Sequence, residues 1–270
     1  MPDHFAAFSF VDRITAFAAG KSARGEFAVP PGIAAFPSCL VAEAVGQLAA
    51  WVAMEHIAFR GRPVAALASE TRFHGEVRPG DTLHLGVEIE QCDDEAVAYS
   101  GWARVNDALV IELQDCLGPM LPVDEFDSPA ALAERLVLLR GAGAAPGRFH
   151  GVVAPRIVAG ECVAGESVSA TLHVPEAAPF FGDHFARRPV FPATLLLDVQ
   201  IGLAMQLAPE GAVPERMTHV KMRSFIAPGD VLQIEARRAP GDAKRILLSA
   251  RSEGGKTVAT ARLELSTEET

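Results

Sequence analysis

The chain has 270 residues, of which 49% are hydrophobic and 21% charged, with a net charge of −10. That mix excludes a disordered polymer, and the acidic balance argues against gripping a nucleic-acid phosphate backbone, which needs clustered Lys and Arg. The four cysteines (Cys39, Cys92, Cys116, Cys162) are scattered with no CxxC pair and read as reduced thiols.

The opening stretch through Arg13 carries an acid and no basic run, so it does not read as a signal peptide. Val11 to Phe17 and Ser22 to Val29 are expected as strands. Ser38 to Ile57 is rich in Ala and Leu and apolar nearly all round, which predicts a helix buried on most sides. Val64 to Glu76, Thr82 to Gln91, Ala96 to Val105 and Leu109 to Cys116 alternate and predict antiparallel strands, with a turn at Pro79-Gly80-Asp81. Residues 121–148 read as a linker with a short helix over Pro129 to Leu139. Gly141-Ala142-Gly143-Ala144-Ala145-Pro146 is close to a dinucleotide fingerprint but follows a helix and ends in Pro, so it too reads as linker. The second half predicts a helix from Ala193 to Leu207 and strands near 215–226, 230–238, 244–252 and 256–266. Glu43 and Gln47 interrupt the first apolar helix, and Asp198 and Gln200 the second, so neither is a membrane span. A cytoplasmic location is the expectation.

The halves repeat. Gly20 to Pro30 aligns with Gly165 to Pro175, Phe36-Pro37 with Phe191-Pro192, and Arg78-Pro79-Gly80-Asp81 with Ala227-Pro228-Gly229-Asp230. Their shared order points to duplication. The first half is ten residues shorter between Pro30 and Phe36, where the second carries a loop with His184. The expected organisation is a first unit over 1–120 lacking this loop, the linker 121–148, and a second unit over 149–270 carrying it. Each unit is α+β, one helix wrapped by an antiparallel sheet.

Each helix carries an acid among apolar neighbours: Glu43 in the first, Asp198 in the second. An ionised carboxylate there is costly unless paired, and burial favours the protonated form that suits a general acid. A cap or an outward turn explains Glu43 equally well. Gln47, one turn on, is placed to orient Glu43, whereas Gly202 stands at the matching place in the second helix. His184 is one of eight histidines, and the loop around it singles it out as a proton-transfer candidate. No metal-ligand spacing occurs, and no metal or cofactor is expected.

His184-Phe185 through Pro189-Val190 and Pro192 to Asp198 resembles the active-site segment of the β-hydroxyacyl-(acyl carrier protein) dehydratases, in which the acid follows the His by fourteen residues. Glu43-Ala44-Val45-Gly46-Gln47 is similar to the Glu-Ala-x-x-Gln pattern of one branch, and Asp198 to the Asp of another. Val11-Asp12-Arg13 looks like the family's opening strand. Ala186-Arg187 replaces the Pro-Gly that follows His-Phe in the family, and Ala193 its Gly. The resemblance implies two tandem hotdog folds paired within one chain. It implies one site with His184 facing Glu43 and a second, vestigial site holding Asp198. It further implies dehydration of 3-hydroxyacyl thioesters, with His184 as base and Glu43 as acid. The Val190 carbonyl would orient His184, and the Ala193 N–H would meet the thioester carbonyl. The implied partner is an acyl carrier protein, with Arg187 and Arg188 as a candidate docking patch; a homodimer of such chains is compatible. Thioester hydrolysis and non-catalytic acyl binding remain open on the same fold.

Overall fold

A computed structural model describes residues 5–267, excepting the side chain of Thr267. The first half supplies β1 (Arg13–Ala18), β2 (Ser22–Ala28), α1 (Ser38–His56), β3 (Gly61–Pro63), β4 (Leu67–Phe73), β5 (Thr82–Cys92), β6 (Ala96–Val105) and β7 (Ala108–Pro122). Next comes α2 (Pro129–Arg140). The second half follows with β8 (Arg156–Val163), β9 (Ser167–His173), α3 (Ala193–Met205), β10 (Ala212–Met222), β11 (Val231–Ala239), β12 (Asp242–Ser252) and β13 (Thr257–Thr267).

These strands make one antiparallel sheet in the order β1-β2-β5-β6-β7-β4-β10-β13-β12-β11-β9-β8, with β3 beside β7. Exchanging each strand for its counterpart in the other half reproduces the same order read from the opposite end. The duplication is therefore a pseudo-twofold, and its seam is the β4–β10 pair, with Thr71 opposite Met217 and Ala68 opposite Val220. Arg216 from β10 reaches Glu70 across the seam at 3.0 Å.

Helix α1 lies against β5, β6 and β2, α3 lies against β11 and β9, and the two helices touch each other. The apolar girth of α1 is explained by its surroundings: Leu40, Val41, Ala44, Val45, Leu48, Ala49, Val52 and Met54 are all buried. Close approach to the sheet depends on Gly101 of β6. A Cβ there would stand 2.5 Å from Val45 Cγ1 and 2.8 Å from the Gly86 carbonyl oxygen. Phe10, Phe27, Phe36 and Phe149 pack edge to face or tilted with centroids 5.1–5.9 Å apart, joining the start of the second half to the first-half core.

The elements differ from the sequence expectations in three places. The stretch expected as one strand over Val64 to Glu76 holds only β4, over Leu67–Phe73, and the short β3 precedes it. Strand β7 runs on to Pro122 because it pairs with three strands in turn: β6, β4 and β3. Residues 121–148 pack as well as connect: Phe126, Leu132, Leu136 and Leu139 are buried, and α2 lies against β1. Ser128 caps α2 by accepting from the Ala131 N–H at 3.4 Å, with Pro129 in the first turn. Among the described residues no helix is long and apolar enough to cross a membrane.

Candidate active site

The loop expected to carry the histidine is pinned by its own backbone. A short 3-10 turn over Pro179–Gly182 presents the Phe180 carbonyl to the His184 N–H at 2.8 Å, and the Val190 N–H returns to the His184 carbonyl at 2.9 Å. The imidazole Nδ1 stands 2.9 Å from the Val190 carbonyl oxygen. A carbonyl only accepts, so Nδ1 carries the proton and Nε2 of the neutral ring is left as a base. The ring stacks on Phe185 (centroids 4.2 Å, 22° between planes) and meets the edge of Phe8. Asp183, beside it, is buried and accepts the Phe5 and Phe8 N–H groups at 2.7 Å each. It ties the first half's leading segment to the second half's loop.

Glu43 comes from the other half. One carboxylate oxygen accepts from Gln47 Nε2 at 3.1 Å, the helical i,i+4 pair expected from the sequence. The other accepts from the Thr194 hydroxyl at 2.8 Å, a bond from α3 across the pseudo-twofold. Gln47 is itself fixed by the backbone, taking the Phe10 N–H at 2.8 Å and donating to the Phe8 carbonyl at 2.9 Å.

His184, Glu43, Gln47, Arg62, Val190, Ala193 and Thr194 line one cavity of about 220 Å³. Away from these groups its wall is apolar, with Gly46, Ala50, Trp51 and Met54 from one face of α1 and Val97 and Leu113 from the sheet. The N–H groups of Ala193 and Thr194 belong to the first turn of α3, where a helix has donors without intrahelical acceptors. Burial pushes the His184 imidazole below its ordinary range, and the Arg62 guanidinium adds to this; the Glu43 carboxylate and the Val190 carbonyl pull the other way. Tyr99 and Cys116 also line the cavity; burial drives the Tyr99 phenol well up and the Cys116 thiol to about 12.

The structure does not bring Asp198 to this cavity. It lines a separate one of about 610 Å³ with Pro37, Leu40, Phe149, Gly202 and Gln206, and burial raises its carboxyl pKa. The geometry therefore removes Asp198 from the set around His184 and puts it at a second cavity, whose lining also includes His150. Arg187 and Arg188 are half-exposed and already engaged, with Asp124 at 3.4 Å and Glu125 at 2.7 Å. All four cysteines are free thiols.

Three residues of the site escaped the sequence reading. Thr194 follows Ala193 directly, but nothing in a lone Thr at a helix start announces a partner in another helix. Arg62 sits on a strand of three residues, too short to show a period, and pairs with Asp127 at 2.6 Å. Asp183 had a signal: an acid inside an otherwise apolar loop start invites the search for the N–H groups it holds.

The halves match different family models: residues 2–114 match the FabA-like domain, and residues 161–262 match ApeI dehydratase, described as ApeI-like. The chain is similar to the 3-hydroxyacyl-(acyl-carrier-protein) dehydratase FabZ of Bacillus subtilis (strain 168), 33% identical over 122 residues, 41% of this chain and 86% of that protein. It is similar to the FabZ of Geobacillus thermodenitrificans (strain NG80-2), 34% identical over 128 residues, 41% of this chain and 84% of that one. Solved structures with the same fold include an acyl-ACP thioesterase from Bacteroides thetaiotaomicron (TM-score 0.57, 9% identity, 91% of this chain and 98% of that one). A MaoC-like dehydratase aligns likewise (TM-score 0.52, 13% identity, 93% and 98%). At these identities the two structures speak for the fold alone, the tandem hotdog.

Proposed function

The chain belongs to the 3-hydroxyacyl-(acyl-carrier-protein) dehydratases, and from that premise we propose that it removes water from 3-hydroxyacyl thioesters at one composite site, with His184 as base and Glu43 as acid. Nε2 of His184 takes a proton from C2 of the acyl group. The electrons pass into the thioester carbonyl as an enolate and return to form the C2–C3 double bond as the C3–O bond breaks. Glu43 gives its proton to the departing hydroxyl, which leaves as water. Proton return from His184 to Glu43 resets the site. The enolate oxygen is received by the Ala193 N–H at the start of α3, where the helix dipole favours negative charge. The acyl chain lies along Gly46, Ala50 and Met54.

The observation that carries this reading is that an imidazole and a carboxyl from different halves face one cavity, each held by independent hydrogen bonds. The thioesterase alternative gains nothing from Cys116, since a thiol pushed to about 12 stays protonated and is a poor nucleophile. The acyl carrier is proposed as an acyl carrier protein. Arg187 and Arg188 serve its docking only by exchanging their present carboxylate partners for those of the carrier. The proposed organisation remains units of 1–120 and 149–270, with 121–148 between them.

The test is hydration of crotonyl or decenoyl thioesters, the reverse reaction. His184→Ala and Glu43→Gln are each expected to lower kcat by at least about a hundredfold, the usual contribution of a general acid or base. Asp198→Asn is expected to stay within about twofold, as a change outside the site. Full activity in Glu43→Gln together with loss in Asp198→Asn would overturn the assignment. Release of free thiol from the acyl thioester would favour hydrolysis instead.

A further inference from the structure

Given His184 as the base, we propose that Arg62 is its positioning residue, held in place by Asp127 from the segment between the halves. Arg62 enters from β3, where it stands opposite Leu121 of β7, and its Nη1 meets Asp127 Oδ2 at 2.6 Å. Asp127 is 1% exposed. An ion pair so deeply buried commonly costs more in lost hydration than it returns, so stability alone does not call for it. Its place beside the imidazole does.

The contact runs through Phe185. The Arg62 guanidinium carbon lies 4.3 Å from the centroid of that ring, and the His184 imidazole stacks on the same ring at 4.2 Å. Phe126 closes on Phe185 edge to face at 5.2 Å, and Phe126, Phe185 and Val190 form a small core of their own, flanked by Val64 and Leu121. Val190 is also the residue whose carbonyl holds Nδ1. The segment after β7 thus contributes both the aromatic wall and the counter-ion that fix the ring beneath the imidazole.

The charges around His184 come from few elements. Glu43 lines its cavity from α1, Arg62 from β3 and Arg135 from α2. Asp183, on its own loop, spends its oxygens on the Phe5 and Phe8 N–H groups, and Asp127 lies behind Arg62. The cavity-lining residues of α3 are Ala193, Thr194 and Leu197, none of them charged. An ionised Glu43 would favour a protonated imidazole, with the pair's proton on the wrong partner for the reaction. The Arg62 charge opposes this and keeps Nε2 free.

Arg62→Gln combined with Asp127→Asn removes both charges and avoids stranding a buried carboxylate. Two quantities are measured: the pH profile of kcat/KM for crotonyl-thioester hydration, and the His184 titration by NMR of histidine-labelled protein, assigned with His184→Gln. The His184 midpoint and the acid limb of the profile are both expected to rise by about one pH unit, a loss that approaches tenfold well below the parent midpoint and vanishes well above the raised one. Arg62→Lys keeps the charge and is expected to hold the midpoint within about 0.3 units. A loss equal at every pH, with the His184 titration unmoved, would show that Arg62 is only structural and overturn the proposal. Should the double variant not fold, Asp127→Asn alone is measured: with its counter-ion gone the Arg62 charge bears harder on the imidazole and the His184 midpoint is expected to fall, whereas an unmoved midpoint, or a shift of about one unit in Arg62→Lys, overturns the proposal. The titration is independent of turnover. If the unmodified protein shows no limb matching the His184 midpoint, the reading of His184 as base fails while the effect of Arg62 on the imidazole is still measured.

Discussion

Replacing Thr194 by Val removes one atom's chemistry and keeps the side chain's shape. In the structure that hydroxyl donates to Glu43 at 2.8 Å, the second of two hydrogen bonds on the carboxyl and the one that crosses between the halves. Hydrogen bonds to charged groups contribute about 1.5–3 kcal/mol, and for this partly buried pair we take about 2. At about 2–4 °C per kcal/mol for chains of roughly this size, Tm is expected to fall by about 4–8 °C. If the same bond holds the carboxyl where the leaving hydroxyl departs, losing all of it in the transition state is worth about thirtyfold in kcat/KM. Gln47 retains the other oxygen, so the expected loss is nearer tenfold. Calorimetry and the disappearance of the enoyl thioester absorbance read the two effects. Thr194→Ser keeps the donor and is expected to stay within about threefold of the parent, roughly half a decade. Parent-like kcat/KM and Tm in Thr194→Val would refute the reasoning, and so would a Ser variant as impaired as the Val one.

Asp183→Ala strands the Phe5 and Phe8 N–H groups and is expected to cost about 2–4 kcal/mol, read as a lower urea midpoint with unchanged slope. Gly101→Ala drives a Cβ into Val45 and the Gly86 carbonyl; because backbone has to yield, about 1–3 kcal/mol is expected, with a drop in kcat as α1 and Glu43 shift. Asp12 has its pKa raised to about 6 by burial, against the pull of the Ala28 N–H and Arg135. The folded state therefore holds its proton more tightly than the unfolded chain, and stability falls as pH rises from about 4 to about 6. The full shift would be worth about 3 kcal/mol, but a partly exposed carboxyl is screened, so about 1 kcal/mol is expected. Asp12→Asn should match the parent below about pH 4 and exceed it by that amount above about pH 7, measured by denaturation across the range.

The parts of the site legible in the sequence are those fixed locally. Gln47 follows Glu43 by one helical turn, so spacing places that contact, and the family resemblance implied the bond from His184 to Val190, six residues on. The central helices were legible because a segment apolar all round has only the interior of a sheet to occupy. Strand β8 gave no such signal: it is exposed at all eight positions, so its two faces do not alternate. Arg62, Asp127 and Thr194 act across chain separations that no period links. Their partners are set by the closing of the sheet at β4–β10 and by the stretch after β7, which composition alone marked as a connector.

The mirror order of the sheet has a consequence for how such a protein changes. In an assembly of two identical polypeptides every mutation is felt twice, and a lost histidine empties both catalytic centres. Here a single peptide holds both lobes, and each can drift alone. On the proposed assignment the lobe without the loop lends Glu43 to its neighbour, so selection guards its helix while the chamber at Asp198 lies open to reshaping at little risk to turnover.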